Sequence, residues 1–317
     1  MPDISNSLRN RVLPRLGQEP SNGLGFRDWL RNGAYFPQEH HAGKEVSLQR
    51  VRLVELIRFL SYDFERFALS SRETFTVATI ENEEHGIVSW PSLKLYYSAF
   101  FGSHAIMRSM GAGVVFLQSK DVAALNSMLQ VHDPAATILP SGAYVYRVIP
   151  TMVGSPDTVS VTLRLDTTSK GVHDGFWKSF CAYLNERSTI AMTNAEADAG
   201  DFLSGAETII NAVSESGLGS SSWLSKTRNA INYSHDFNAW FPVPNRSEAR
   251  TALAGIRAMP ADSVRVDISR SRKPVTALCQ VSTFLACLSL EVSEHLAARS
   301  TKAKAFGQRW RQLGQLL

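Results

Sequence analysis

A mainly helical fold carrying one small antiparallel β-element is what the sequence predicts, and three observations predict it. Apolar residues recur at three- and four-residue steps over most of the chain, which is the helical period. The period falls to two only at about 143–166, where two alternating runs flank the turn residues Val153-Gly154-Ser155-Pro156-Asp157. Residues 275–298 are apolar on nearly every face, as the central helix of a bundle must be.

The elements follow in chain order. Residues 1–46 are rich in Pro, Gly, Asn and charge, with one apolar-aromatic patch at Phe26, Trp29 and Leu30, and read as an N-terminal arm. The rest, 47–317, reads as a single helical domain with a β-containing insertion at about 137–170 and a basic C-terminal helix. Val51, Leu53, Val54, Ile57, Leu60, Phe64 and Phe67 predict a helix from Leu48 to Leu69. A second starts at Trp90-Pro91-Ser92, where proline suits the first turn, and stops at Gly111. Gly102, Gly111 and Gly113 are expected at close helix contacts and a C-cap. In the β-element, Val145, Arg147 and Ile149 alternate on one strand and Val159, Val161, Leu163 and Leu165 on the other. Further helices are expected at 173–186, at 204–215, after Ser220-Ser221-Ser222, whose hydroxyls can cap, after Asn245-Arg246-Ser247, and at 275–298. The last continues into a tail of Arg299, Lys302, Lys304, Arg309 and Arg311 with no acid among them.

With 317 residues, 44% hydrophobic and 20% charged, the chain can bury a sizeable core, which excludes a disordered, collagenous or disulfide-scaffold protein. Lys and Arg number 33 against 29 Asp and Glu, a net +4, and the placement says more than the total. Residues 246–317 hold 12 basic and 5 acidic side chains, so they carry +7 while the first 245 residues carry −3. Any polyanionic partner is expected to meet the C-terminal part. Cys181, Cys279 and Cys287 are too few and too scattered for a disulfide framework or a zinc cluster and read as buried thiols. Arg9, Arg11 and Arg15 have no apolar signal core behind them, and no apolar run approaches the roughly 18 residues of a membrane helix, so the expectation is a cytoplasmic protein with no membrane association.

Walker-type loops, HExxH, GxSxG and paired-cysteine metal spacings are absent from the sequence. The segment that carries chemistry is 225–244, SKTRNAINYSHDFNAWFPVP. Arg228 and His235 are seven positions apart, so a continuous α-helix would place them two turns apart and only about 20° out of register. Asn232 falls between them on the same stripe, with Asn229 beside the arginine. A neutral imidazole can take the proton from a ribose 2′-hydroxyl, and a guanidinium can hold the phosphate and stabilise its developing charge. Such a pair needs no metal and no cofactor.

This segment resembles the R-x(4–6)-H signature of the HEPN superfamily, helical nucleases and nucleotide-binding proteins of toxin–antitoxin and antiviral systems, in the form where Asn follows the arginine. Leu95-Tyr96-Tyr97-Ser98-Ala99-Phe100-Phe101 is similar to the YYxxF-type helix that packs behind the motif in that superfamily. Together the two blocks cover at most about two fifths of the chain. The resemblance implies a HEPN-like helical bundle and a metal-independent endoribonuclease acting on RNA. It makes Arg228, His235, Asn232 and Asn229 catalytic, in a homodimer whose two Arg–His pairs face each other, with an antitoxin or defence-complex protein as a possible partner. One position departs from the pattern. Where HEPN toxins silenced by a nucleotidyltransferase carry a modifiable tyrosine, two residues after the histidine, this chain has Phe237, so that silencing is unsupported unless Tyr233 substitutes.

Tyr233, Tyr97, His104 and Arg108 complete the candidate substrate-binding set, the last two lying one and two turns beyond Tyr97 and Phe101 on the same helix. For each residue a structural role competes. Arg228 could be a surface arginine paired with Asp236, His235 a helix-end histidine favoured by the dipole, Asn229 and Asn232 caps or solvent-facing amides, and His104 with Arg108 a satisfied core-edge pair. The cluster Glu81, Glu83, Glu84 and His85 could bind a divalent ion or form a solvated acidic turn. The leading functional reading is the endoribonuclease; its alternative is a non-catalytic HEPN-like subunit that binds nucleic acid or a partner protein.

Overall fold

A computed structural model describes residues 4–18, 20, 23–40, 44–85, 87–150, 157–167, 171–214, 223–240, 253, 256–264 and 273–316. The helices are α1 (Ile4–Arg9), α2 (Phe26–Asn32), α3 (Leu53–His85), α4 (Ser89–Ser109), α5 (Ser119–His132), α6 (Val172–Thr193), α7 (Ala199–Val213), α8 (Trp223–Asn229), α9 (Pro274–Arg299) and α10 (Phe306–Leu316). The strands are β1 (Phe36–His40), β2 (Glu45–Arg52), β3 (Ala112–Leu117), β4 (Gly142–Pro150) and β5 (Thr158–Leu165). The protein is thus mainly helical with one antiparallel sheet, in the order β1-β2-β5-β4-β3.

The expected hairpin is β4–β5, and it forms the middle of a larger sheet rather than a separate insertion. On β5 the expected face is buried, with Val161 and Leu163 fully inside. On β4 the face is opposite to expectation: Tyr144 and Tyr146 are buried and Ile149 is exposed. The two tyrosines bury more apolar area than the smaller odd-numbered set, and a one-residue change of face swaps every side chain. Phe26 of α2 stacks on Tyr146 at 4.0 Å, so the segment read as an arm supplies a lid to the sheet. Arg27 and Arg31 of α2 reach the buried carboxylate of Asp121 on α5, at 2.7 and 3.3 Å, fixing both helices over the sheet.

The helix expected from Leu48 begins instead at Leu53, because residues 45–52 pair with β5. A β-bulge between Leu48 and Val51, with Arg50 at φ 56°, breaks the strict alternation that would have marked the strand. From Leu53 the helix runs to His85, and α3, α4 and α9 pack against one another as the centre of the molecule. At Gly102 an added Cβ would lie 2.7 Å from Cβ of Ser289 on α9 and 3.0 Å from Oγ of Ser71 on α3, so this glycine lets three helices approach. Gly111, at φ 82°, ends the α4 turn, whereas Gly113 belongs to β3 and leaves room for the Tyr146 ring.

By length and composition α9 is apolar enough to cross a membrane, contrary to the expectation that no stretch is; 78% of its most apolar window is buried inside the protein. The basic tail does not prolong it. The chain turns after Arg299, where the Ser300 hydroxyl donates to the Gly17 carbonyl, and α10 folds back along α3. There Arg309 pairs with Glu65, and the Arg72 guanidinium lies 4.5 Å over the Trp310 ring. Ser220-Ser221-Ser222 and the helix expected after Asn245-Arg246-Ser247 fall outside the described residues. The three cysteines are free; burial pushes the Cys181 and Cys279 thiols up to about 12, which makes them poor nucleophiles.

Candidate functional site

The Arg–His segment is not one continuous α-helix. α8 ends at Asn229, residues Ala230–Ser234 form a π-turn, and His235 takes the left-handed conformation at φ 54°, ψ 29°. The wider π-turn shifts the register after Ala230, and the left-handed residue turns the chain off the helix axis. The stripe of Arg228, Asn232 and His235 is therefore broken between its first and last members.

The two key side chains face different surroundings. Arg228 is buried, 5% exposed, with its guanidinium 5.4 Å from the ring centres of both Tyr96 and Tyr97 on α4. This is a desolvated cation–π clamp that pins α8 to α4. His235 is exposed and stacks on Trp240 at 5.3 Å, and Trp240 meets Trp90 edge-on at 5.5 Å. The Trp240 indole N–H donates to the Ile231 carbonyl at 2.6 Å, closing the turn. Trp90 and Tyr97 are seven residues apart on α4, so the α4 positions that anchor the two side chains lie roughly 10 Å apart along its axis. Arg228 is not the surface arginine that a pairing with Asp236 would require, and among the described residues no ion pair joins them. Asn229 is exposed, Asn232 half-buried, and Tyr233 is 73% exposed.

His173 is the imidazole that does approach Arg228, and no motif marks it. Its Nδ1 lies 3.1 Å from the Tyr96 hydroxyl, and the Trp177 indole N–H donates to that same oxygen at 3.2 Å. The Arg228 guanidinium and the Ser225 hydroxyl also interact with the Tyr96 phenol and favour its ionised form. Burial first, and the Arg228 charge second, lower the His173 imidazole to about 4, which keeps it neutral at pH 7. Burial pushes the Tyr96 phenol up from its ordinary range.

His104 and Arg108 form a separate buried pair. Arg108 contacts His104 Nδ1 at 2.8 Å, donates to the Val114 carbonyl at 3.2 Å and lies 4.2 Å over Phe67. The His104 ring stacks between Phe176 at 3.7 Å and Phe67 at 4.6 Å. Burial, reinforced by Arg108, lowers its pKa well below the usual histidine range, so it serves as a neutral aromatic core residue. A small cavity of about 50 Å³ adjoins it, lined by Val114, Phe116 and Phe176, large enough for one or two waters and no larger ligand. Tyr97 is half-buried, between the Arg228 clamp and His173.

Glu81 is held by Lys94, while the side chains of Glu83, Glu84 and His85 fall outside the described residues. Among the described residues no three His, Cys, Asp or Glu side chains converge on a metal-sized site. Comparison with protein-family models, curated proteins and solved structures finds no match to this chain.

Proposed function

We propose that this chain is a non-catalytic, HEPN-like RNA-binding protein, and that it serves as a subunit of a defence or regulatory complex. The observation that carries this reading is the division of the Arg–His segment. Arg228 is buried at 5% exposure against the Tyr96 and Tyr97 rings, whereas His235 stands in solvent and stacks on Trp240 instead. A guanidinium buried in this way is poorly placed to hold the phosphate of an RNA whose 2′-hydroxyl meets the exposed His235, since general-base catalysis needs heavy atoms about 3 Å apart. Two features suit holding a nucleic acid: exposed rings at the π-turn, and the excess of basic side chains that gives residues 246–317 a charge of +7 in the sequence. Fluorescence anisotropy of a labelled single-stranded RNA in a salt series tests the reading. Affinity should fall steeply and log-linearly with salt, with a slope reporting several released counterions. Salt-independent binding, or none, contradicts it.

The endoribonuclease reading keeps one specific support, the approach of Arg228 to the neutral His173. In that reading a homodimer cleaves RNA without metal, and cleavage survives EDTA. It is lost in His173→Ala if His173 is the base, or in His235→Ala if the second protomer supplies its partner.

A further inference from the structure

We infer that the corner where the N-terminal turn docks on the α9–α10 turn holds the phosphate backbone of nucleic acid, without regard to base or strand. The inference rests on the RNA-binding reading and gives it an address. Two basic segments stand at opposite ends of the sequence, Arg9 to Arg15 and Arg299 to Arg311, and the fold joins them. The Ser300 hydroxyl donates to the Gly17 carbonyl at 2.7 Å, and Gly17 packs on the Phe306 ring. Arg299 adjoins Ser300, Arg15 is two residues from Gly17, and Lys304 is two residues from Phe306. Chain length alone therefore keeps the backbone of all three within about 7 Å of a residue in that contact.

The charge at this corner is not neutralised. Arg11 is taken up by Glu196 and Asp198, Arg9 by Glu291 and Arg309 by Glu65. Arg15, Arg299, Lys304 and Arg311 are exposed, and among the described residues none of the four is in an ion pair. Glu294 is the last acidic side chain in the sequence, five positions before Arg299. Burial first, and then the Arg299 and Arg9 charges, lower the His295 imidazole, as uncompensated positive charge must. Arg15 and Lys304 also hold φ at 66° and 60°, a left-handed form that glycine takes at less cost, so both turns present a cation where the backbone does not favour one.

The occupant follows from the spread of the charges and from what lies between them. The four cations sit on two turns and two helices rather than on one loop that could close around a small anion. They suit a chain of phosphates, which a nucleic acid repeats at about 3.4 Å of rise along each strand. A protein partner needs apolar or aromatic groups to bury at the centre of its interface. Here Phe306 and Trp310, the rings of α10, face inward at 1% and 5% exposure, and from residue 299 onward Leu316 is the one large apolar side chain exposed among the described residues. The same inward turn argues against a membrane-surface helix, whose apolar face must point out. With no exposed ring on these segments to stack on a base, the corner reads charge and not sequence.

The test uses the full chain and a labelled RNA dodecamer, single-stranded and as a duplex, in a salt series. The triple variant Arg15→Gln, Arg299→Gln, Lys304→Gln should lose at least about tenfold in affinity for both at low salt, and its log–log salt slope should fall by about 2, roughly 0.7 per lost phosphate contact. An equal loss of charge on other faces, Lys120→Gln with Arg164→Gln and Lys226→Gln, all exposed, should leave the slope nearly unchanged. Arg299→Gln alone, on regular helix, should lower the slope by about 0.7 and carries the test if the triple variant does not fold. Equal losses in the two triple variants, an unchanged slope in the first, or an affinity at least about tenfold higher for the single strand than for the duplex would overturn the corner while RNA binding stands. If the original protein binds neither RNA, the RNA reading falls and takes the corner with it. Capture by vesicles of phosphatidylcholine with phosphatidylserine, lost in the triple variant and without RNA binding, would assign the corner to a membrane surface and overturn it as well.

Discussion

The Arg228 guanidinium lies 5.4 Å from the centre of the Tyr96 ring, and Tyr96 in turn bridges Trp177 and His173 through its hydroxyl. One buried charge thus joins α8, α4 and α6. Because it is buried against two adjacent tyrosine rings of α4, its first duty is to hold the helix that carries the π-turn.

Arg228→Ala should therefore lower stability, by about 2–3 kcal/mol, through loss of a desolvated cation–π contact and of the packed stem. Urea unfolding measures this directly. A variant as stable as the original protein would show that the clamp does no structural work.

Tyr96→Phe should cost about 1–2 kcal/mol, since the Trp177 N–H loses its acceptor inside the protein and His173 Nδ1 loses its hydrogen-bond partner. A double substitution with His173→Phe should cost less than the two singles summed, because both remove the same bond.

Stability should depend on pH between about 4 and 6.5. The His173 imidazole is lowered to about 4 in the folded protein against an ordinary value near 6.5, so within that window the unfolded chain binds more protons. Stability is then full above pH 6.5, falls as the pH drops toward 4, and levels off below. Burial is the larger cause and Arg228 the second, so His173→Gln should flatten that slope as read by urea midpoints at pH 7 and pH 5. The buried His104 moves in the same direction and would leave a residual slope.

Gly102→Ala should destabilise by about 1–3 kcal/mol, because its Cβ would fall 2.7 Å from Ser289 Cβ in the three-helix contact. Thermal melting checks this, and the added Ser289→Gly should recover part of the loss.

The long helices were legible because apolar spacing survives wherever one face is buried: α4 with Pro91 in its first turn, α6, α7 and α9 all follow from it. The sheet was legible only at β4–β5. β1 lies in the segment read as an N-terminal arm, most of β2 was counted into the helix predicted from Leu48 because Val51 fits that period, the bulge at Arg50 disrupts the alternation of β2, and Gly113 lowers the strand character of β3. At the site, the resemblance pointed to Arg228 and to the tyrosines behind it, and the structure brings them into contact. The break at Ala230 could not, since Ala-Ile-Asn-Tyr-Ser is as compatible with an α-helix as with a π-turn. His173 was invisible because it reaches Tyr96 across 77 positions of sequence, and a contact set by tertiary packing leaves no local pattern.

Whether this chain holds RNA without cutting it, as we propose, is read from the products of a saturated complex. Single-stranded RNA incubated with excess protein for hours, with and without EDTA, and resolved on a denaturing gel should be recovered at full length. Discrete fragments that persist in EDTA and disappear in His235→Ala or His173→Ala would contradict the account and assign the site to ribonucleolytic chemistry.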